Sequence, residues 1–193
     1  MVVSWIGFVS IGILFARYFK DSWPNTLLGG VKVWFAFHRP LMVTSVLMMC
    51  IAQACIFYYV GGYRTGYHQI VGSIAFVFAL LQPFGAIFRP HPDASTRWIF
   101  NWGHWFGGNA GEICAVAAIL LATEIKIAGL PHLFLYVVLA WIAFHVIVHL
   151  VLQLSSACSN RSKTADIALH ELQNGQAIYI ENSSNPSGQA YRT

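Results

Sequence analysis

Long stretches without a charged residue are the feature of this sequence that most restricts its fold. Five apolar runs follow one another, at 2–16, 40–63, 65–88, 98–123 and 127–160, and only Glu112 interrupts one of them. A helix needs about 20 mostly apolar residues to cross a bilayer, because lipid offers its backbone no hydrogen-bonding partner. Only 9% of the residues are charged, against about 25% in soluble domains. The sequence therefore predicts an all-α membrane protein, a five-helix transmembrane bundle with spans at about 2–18, 33–60, 66–88, 98–123 and 130–154.

The chain divides by composition into two parts. Residues 1–154 form the predicted membrane domain, and residues 155–193 are rich in Ser, Asn and Gln, which predicts a disordered tail. The four cysteines lie within or next to the spans, so no disulfide framework is indicated.

The positive charges predict the orientation in the membrane. Two of the Lys and Arg residues near the spans, Arg64 and Lys126, lie on one side, and eight lie on the other: Arg17, Lys20, Lys32, Arg39, Arg89, Arg97, Arg161 and Lys163. In membrane proteins, the short loops on the cytoplasmic side carry an excess of Lys and Arg. We therefore expect the amino terminus outside and the tail in the cytoplasm. Since this bias explains most of the net charge of +4, no nucleic-acid partner is expected.

Three histidines stand about one turn inside predicted spans, where ionisable side chains are rare and usually functional. The second and fourth spans both enter the membrane from the cytoplasmic side, and they reach His38 and His104 after about five and six residues. The helical rise of about 1.5 Å per residue therefore gives the two histidines similar depths. They are suited to ligate one iron from opposite faces, each through a neutral ring nitrogen. His68 enters from the outer side and implies a separate site. For each histidine alone, hydrogen-bonded packing inside the bundle is the alternative.

The surroundings of His38 and His104 favour haem over a bare metal ion. Arg39 and Arg97 are suited to pair with the two propionates. Glycines allow the helix backbone to approach a macrocycle, and aromatic residues can form apolar walls; these residues are Gly103, Gly107, Gly108, Trp34, Phe35, Phe37, Trp102, Trp105 and Phe106. The alternative is an interfacial aromatic belt with arginines that only set the topology. A structural zinc site would need four Cys or His ligands, which the spacing does not offer.

These residues resemble a known pattern. Phe37-His38, Tyr67-His68 with Gly72, Arg89-Pro90 and the segment with Arg97, Asn101, His104 and Gly108 are similar to the cytochrome b561 family. The resemblance covers residues 3–154, and it is strongest to the subclass fused to an extracellular DOMON domain, which includes the ferric-chelate reductase 1-like proteins. It implies two b-type haems held by four histidines, with electrons passing across the membrane. His38 and His104 then form the inner pair.

The resemblance also implies a difference at the amino terminus. The family's first histidine belongs to a His-Gly segment just upstream of the position that resembles Met1, so we expect an N-terminally truncated form. The first apolar run has 15 residues, about 22 Å of helix, whereas the hydrocarbon core is about 30 Å thick. The expected haem b site is therefore the inner one, and His68 stands alone at the outer site. His132 is at a height to replace the missing ligand, although a loop histidine facing water is the more ordinary interpretation.

Three further polar residues lie in the predicted spans. His145 and His149 have the i, i+4 spacing that can bind a metal, but hydrogen-bonded packing is the favoured interpretation. Glu112 would be costly if it were ionised in lipid. A protonated carboxyl group, a pair with a histidine and a proton relay remain open for it.

The predicted function is transmembrane electron transfer by a b-type cytochrome. The resemblance implies cytoplasmic ascorbate as the donor and an acceptor outside such as ferric iron, which makes the chain an oxidoreductase of the ferric or monodehydroascorbate reductase type. The alternative is a haem-free membrane subunit or proton-conducting bundle that uses a His/Glu polar network. The expected partners are the lipid bilayer and the electron donor, and a homodimer is left open.

Overall fold

The computed structural model describes residues 1–91 and 93–184, without the side chains of Ile127, Ala168 and residues 175–184. The described part is almost entirely helical, which confirms the all-α fold class. Four helices are long and apolar enough to cross a membrane, and a shorter apolar helical segment, Val3–Tyr18, precedes them. Five helical segments thus lie where the apolar runs predict them.

The first helical segment has two parts. A π-helix, Val3–Val9, leads directly into helix α1, Ser10–Tyr18. The segment is shorter than 18 residues, in agreement with the short first span predicted from the sequence.

The four long helices match the predicted bounds to within a few residues at their starts. They are α2 (Val33–Val60), α3 (Tyr67–Ile87), α4 (Arg97–Leu121) and α5 (His132–Ser184). Two short 3-10 helices, Ala122–Glu124 and Lys126–Ala128, follow α4.

The chain divides into two compact units, Met1–Val146 and Ile147–Thr193. The first unit contains the packed helices. The described part of the second unit is helical, and it includes residues 155–184, for which the composition predicts disorder. Residues 185–193 of that predicted tail lie outside the described residues, so the domain division at 154 stays a prediction.

The connection between the first helical segment and α2 contains a small β-hairpin. Strands β1 (Leu27–Leu28) and β2 (Val31–Lys32) are antiparallel. Gly29 and Gly30 join them with φ values of 59° and 78°. Glycine adopts this left-handed backbone without steric cost, which is why a two-residue Gly-Gly loop suits a tight hairpin.

Small residues dominate the contacts among the packed helices of the first unit. The most extensive contact joins α3 to α4, and the first helical segment packs on α2. Ala75, Ala79, Ala115 and Ala118 are buried at these contacts, together with Ser45. Small side chains let helix backbones approach closely, which is how helices associate when the surrounding lipid is as apolar as they are.

Candidate functional site: two histidines between α2 and α4

His38 and His104 lie together near the beginnings of α2 and α4. Their ring centroids are 6.3 Å apart, and the two ring planes make an angle of 73°. Metal–nitrogen bonds to histidine are about 2.0 Å long, and an imidazole ring with sides of about 1.33 Å has a radius of about 1.1 Å. Two imidazoles bound to one iron from opposite faces would therefore have centroids about 6.2 Å apart. The spacing fits a bis-histidine haem site.

A hydrogen bond orients the His38 ring. Its Nδ1 lies 2.9 Å from the carbonyl oxygen of Gly12 on α1. Because a carbonyl oxygen can only accept, Nδ1 carries the proton of this hydrogen bond. In the neutral ring the lone pair is then on Nε2, which is the tautomer that suits a metal-ligating histidine.

Gly12 is a residue of this site that the sequence analysis missed. A Cβ atom added at Gly12 would overlap the terminal methyl group of Met42, and it would lie 3.5 Å from Cβ of Leu41 and 3.7 Å from Nδ1 of His38. The absence of a side chain at Gly12 lets α1 approach α2 closely enough for its carbonyl group to reach the imidazole. A glycine inside an apolar span is the signal that could have indicated this close helix contact.

Two aromatic residues contact the histidine pair. Phe100 is stacked on His104, with ring centroids 5.4 Å apart and an interplanar angle of 14°. Trp34, predicted as a wall residue, has its ring 6.3 Å from the ring of His38. Its Nε1 is buried without a hydrogen-bond partner among the described residues. These contacts leave the histidine rings in an apolar environment, as a porphyrin site requires.

Other predicted wall residues do not face the pair. Trp102, Trp105 and Phe106 are exposed, with 63%, 51% and 62% of their surface accessible. Residues two positions from His104 lie on the opposite side of a helix with 3.6 residues per turn. The interfacial-belt interpretation fits these residues better. Gly107, expected to face a macrocycle, packs against Gln82 of α3 instead.

The two remaining predicted wall residues also have other neighbours. Phe37 stacks on Phe15 of α1, with ring centroids 4.8 Å apart, and the ring of Phe35 lies under the guanidinium groups of Arg39 and Arg89.

Three arginines meet at the end of the bundle next to the histidine pair. Arg39 and Arg89 lie 5.6 and 5.7 Å from the ring of Phe35, and Arg89 and Arg97 lie 5.8 and 5.4 Å from the ring of Phe100. Within the described part of the chain, no carboxylate forms a salt bridge with any of them. The cluster is therefore suited to bind an anion with two or more carboxylate oxygens.

Arg89 is the member of this cluster to which the sequence analysis gave no role. It follows α3 outside the apolar span, and partial burial lowers the pKa of its guanidinium group, an effect that the positive charge of Arg97 increases. Arg97 is held by a hydrogen bond that it donates to the carbonyl oxygen of Pro90.

His68 lies at the other end of the bundle, near the start of α3. Its Nδ1 donates to the carbonyl oxygen of Ala118, 2.7 Å away near the end of α4. Among the described residues, no imidazole makes a ring contact with it. His132 is exposed at the start of α5. The side chain of Met1 packs beside Gly72, one turn along α3 from His68.

A second polar cluster lies between the first helical segment, α4 and α5. Oε1 of Glu112 is 3.5 Å from Nε2 of His145 and 3.3 Å from Oγ of Ser10. The Glu112 and His145 side chains are 15% and 17% exposed. The structure contains the pair with a histidine that was left open for Glu112, and the protonated carboxyl group and the proton relay stay predictions.

Known proteins similar to this chain are ferric-chelate reductases. Human ferric-chelate reductase 1 is 41% identical over 156 residues, which are 79% of this chain and 26% of that protein. A putative ferric-chelate reductase 1 of Xenopus laevis is 40% identical over 161 residues, or 82% of this chain and 27% of that protein. A putative homolog in Drosophila melanogaster is 37% identical over 161 residues, or 83% and 25%.

The similarity is confined to one portion of those proteins. This chain spans about a quarter of the length of the curated relatives it matches. No protein-family model matches it, and no solved structure is similar to it. Over about four-fifths of its length, the chain is therefore similar to a segment of proteins named ferric-chelate reductase 1.

Proposed function

We propose that this chain binds one haem b between His38 and His104 and transfers single electrons across a membrane. The observation that carries the proposal is the separation of 6.3 Å between the two ring centroids, together with the Nδ1 hydrogen bond that leaves Nε2 of His38 available. Ligation by two histidines leaves no open coordination position, which favours electron transfer over oxygen chemistry.

The chain's own residues have distinct parts in this function. His38 and His104 would hold the iron of a bound haem, and the carbonyl group of Gly12 orients His38. Arg39, Arg89 and Arg97 bind anionic groups at the rim, such as propionates or an anionic donor. When bound, the haem supplies a one-electron carrier inside the bilayer.

The proposed direction of transfer is from the cytoplasm outwards. The distribution of Lys and Arg puts the arginine cluster on the cytoplasmic side, where we propose ascorbate as the donor. The names of the relatives support ferric iron as the acceptor. The single histidine at the outer end, His68, would serve a second haem only with a ligand from elsewhere.

An absorption spectrum of the purified, dithionite-reduced protein tests haem binding. We expect the bands of a low-spin b-type haem, and we expect His38→Ala or His104→Ala to abolish them. His91→Ala is the matched control, because His91 is an exposed loop residue. A featureless visible spectrum, or bands that survive both substitutions, would refute the proposed site.

Transfer itself is measured in vesicles that contain the protein, with ascorbate inside and a ferric chelate outside. Appearance of ferrous iron outside, lost in His104→Ala, is the expected result. Reduction at equal rates in protein-free vesicles would contradict it.

A second candidate function is a haem-free, proton-conducting bundle, which the Glu112–His145 pair favours. It predicts no visible absorption and a proton flux that Glu112→Gln reduces. The same spectrum therefore separates the two candidates.

A further inference from the structure

An ionisable pair is enclosed within the apolar bundle. Glu112 is in the interior of α4, and His145 of α5 faces it at 3.5 Å. Trp141 stacks on the His145 ring with centroids 4.9 Å apart. From the first helical segment, Ser10, which is only 3% exposed, completes the cluster.

The helices around this pair carry few charges. Helix α3 has no charged residue, and α2 has none after Arg39. His145 faces Glu112 with an imidazole and Ser10 faces it with a hydroxyl group, and a second titratable group, His149, lies one turn from His145 on α5. An ionised carboxylate in lipid is costly unless such partners surround it.

The Ser10 hydroxyl group can serve two protonation states of Glu112. Its Oγ lies 2.8 Å from the carbonyl oxygen of Trp5 and 3.3 Å from Oε1 of Glu112, but it has only one hydrogen to donate. When Glu112 is ionised, the hydroxyl group can donate to the carboxylate. When Glu112 is protonated, the hydroxyl group can donate to Trp5 and accept from Glu112.

The backbone makes this exchange inexpensive. The Trp5 carbonyl oxygen also accepts from the backbone N–H of Ser10, where the π-helix passes into α1. The carbonyl group therefore keeps a partner when the hydroxyl group turns away. The π-helix, a type of helix that frequently marks a functional position, supplies the Trp5 acceptor of this arrangement.

We propose that Glu112 and His145 form a proton-binding site inside the membrane, whose proton compensates the charge of an electron at the His38–His104 site. One proton leaves a hydronium ion of the bulk water, whose O–H bond breaks, and binds to the Glu112 carboxylate, where a new O–H bond forms. The donor loses one electron and is oxidised, and a haem held at the His38–His104 site would gain that electron and be reduced. The coupling rests on the proposed function, whereas the proton binding does not.

The size of the coupling follows from the position of the residues on α4. Glu112 is eight residues from His104, about 12 Å along the helix axis. At an effective dielectric constant of about 20, one charge at this distance changes the affinity for another about tenfold. For a one-electron couple this corresponds to about 59 mV.

Infrared spectroscopy of the purified protein in nanodiscs tests the proton binding. The C=O band of a protonated carboxyl group should appear as the pH is lowered, be absent in Glu112→Gln and titrate at a different pH in His145→Gln. Glu124→Gln, which changes an exposed residue after α4, is the matched control and should keep the band. A spectrum without a titrating band that Glu112→Gln removes would overturn the proposal.

Potentiometric titration of the haem tests the coupling. The midpoint potential should be higher at low pH by about 59 mV in total, and in Glu112→Gln it should stay at the low-pH value at every pH. A potential with the same pH dependence in both proteins would overturn the coupling even if the infrared band titrates. A protein without haem would refute the proposed function and the coupling together, and the infrared titration would still decide proton binding.

Discussion

Gly12 offers a direct test of how the first helical segment supports the histidine pair. Its carbonyl group holds Nδ1 of His38 at 2.9 Å, and its missing side chain makes room for α2. We expect Gly12→Val to damage the site although residue 12 does not contact the iron. Gly7→Val is the matched control, because an added Cβ at Gly7 of the same segment would meet nothing within 4 Å.

The size of the effect expected for Gly12→Val follows from the space around Gly12. Its added Cβ would already be in van der Waals contact with Leu41 and His38, at 3.5 and 3.7 Å, so the γ carbons of valine have no room. Overpacking of this kind costs about 1–3 kcal/mol, and loss of the hydrogen bond adds about 1 kcal/mol. Loss of the group that orients a metal-ligating histidine typically lowers metal affinity about 10- to 100-fold.

Gly12→Ala should bind haem with an affinity between those of the wild type and Gly12→Val. Its Cβ requires the flexible end of Met42 to move, so we expect a smaller loss of haem affinity than valine causes. The expected order of haem affinity is therefore wild type, Gly12→Ala, Gly12→Val, with Gly7→Val equal to wild type.

The assay is titration of haem into the purified apoprotein, followed by absorbance, with thermal unfolding of each variant in the same detergent. If Gly12→Val bound haem as tightly as Gly7→Val, close packing of α1 on α2 at residue 12 would not be needed for the site. If Gly7→Val lost haem equally, the effect would come from valine in this segment and not from the contact with His38.

Three further predictions use other contacts. Gly111→Leu should lower the unfolding temperature, because an added Cβ at Gly111 is 3.1 Å from two aromatic side chains and overpacking costs about 1–3 kcal/mol of stability. Gly103→Leu is the control and should leave the unfolding temperature unchanged, because an added Cβ at Gly103 meets open space. Equal melting curves of the two variants would contradict the prediction. Arg89→Gln should raise KM for ascorbate about 10- to 100-fold, because it removes charge-assisted hydrogen bonds worth about 1.5–3 kcal/mol. Arg64→Gln, on the predicted outer side, is the control and should leave KM unchanged. Equal KM values of the two variants would exclude Arg89 from donor binding. His68→Ala should leave the haem bands of the inner site intact, and loss of all haem absorbance would refute the separation of the two ends.

The sequence predicted the helices well because lipid provides no hydrogen-bonding partners for the backbone. Each apolar run must form a helix to satisfy its own hydrogen bonds, so the bounds of α2, α3 and α4 fell within a few residues of those predicted. The similar depth of His38 and His104 followed from the fixed rise per residue. Whether a ring faces its partner depends on the rotation of each helix, which packing sets.

The aromatic residues near His104 show that helical periodicity predicts neighbours better than proximity in sequence does. Trp102 and Phe106 were predicted as walls from their proximity in sequence to His104, although helical periodicity puts residues two positions away on the other face. Phe100, one turn from His104, satisfies the periodicity and stacks on its ring.

The sequence by itself determined an all-α membrane protein and the order and depth of its histidines, because apolar run length and helical rise are local quantities. Only the tertiary structure decided which groups surround them. The Gly12 carbonyl group on His38, Arg89 between two aromatic rings and the Glu112–His145 pair each join residues from separate helices. Such contacts depend on how small residues let the helices approach and rotate, and no local pattern contains that information.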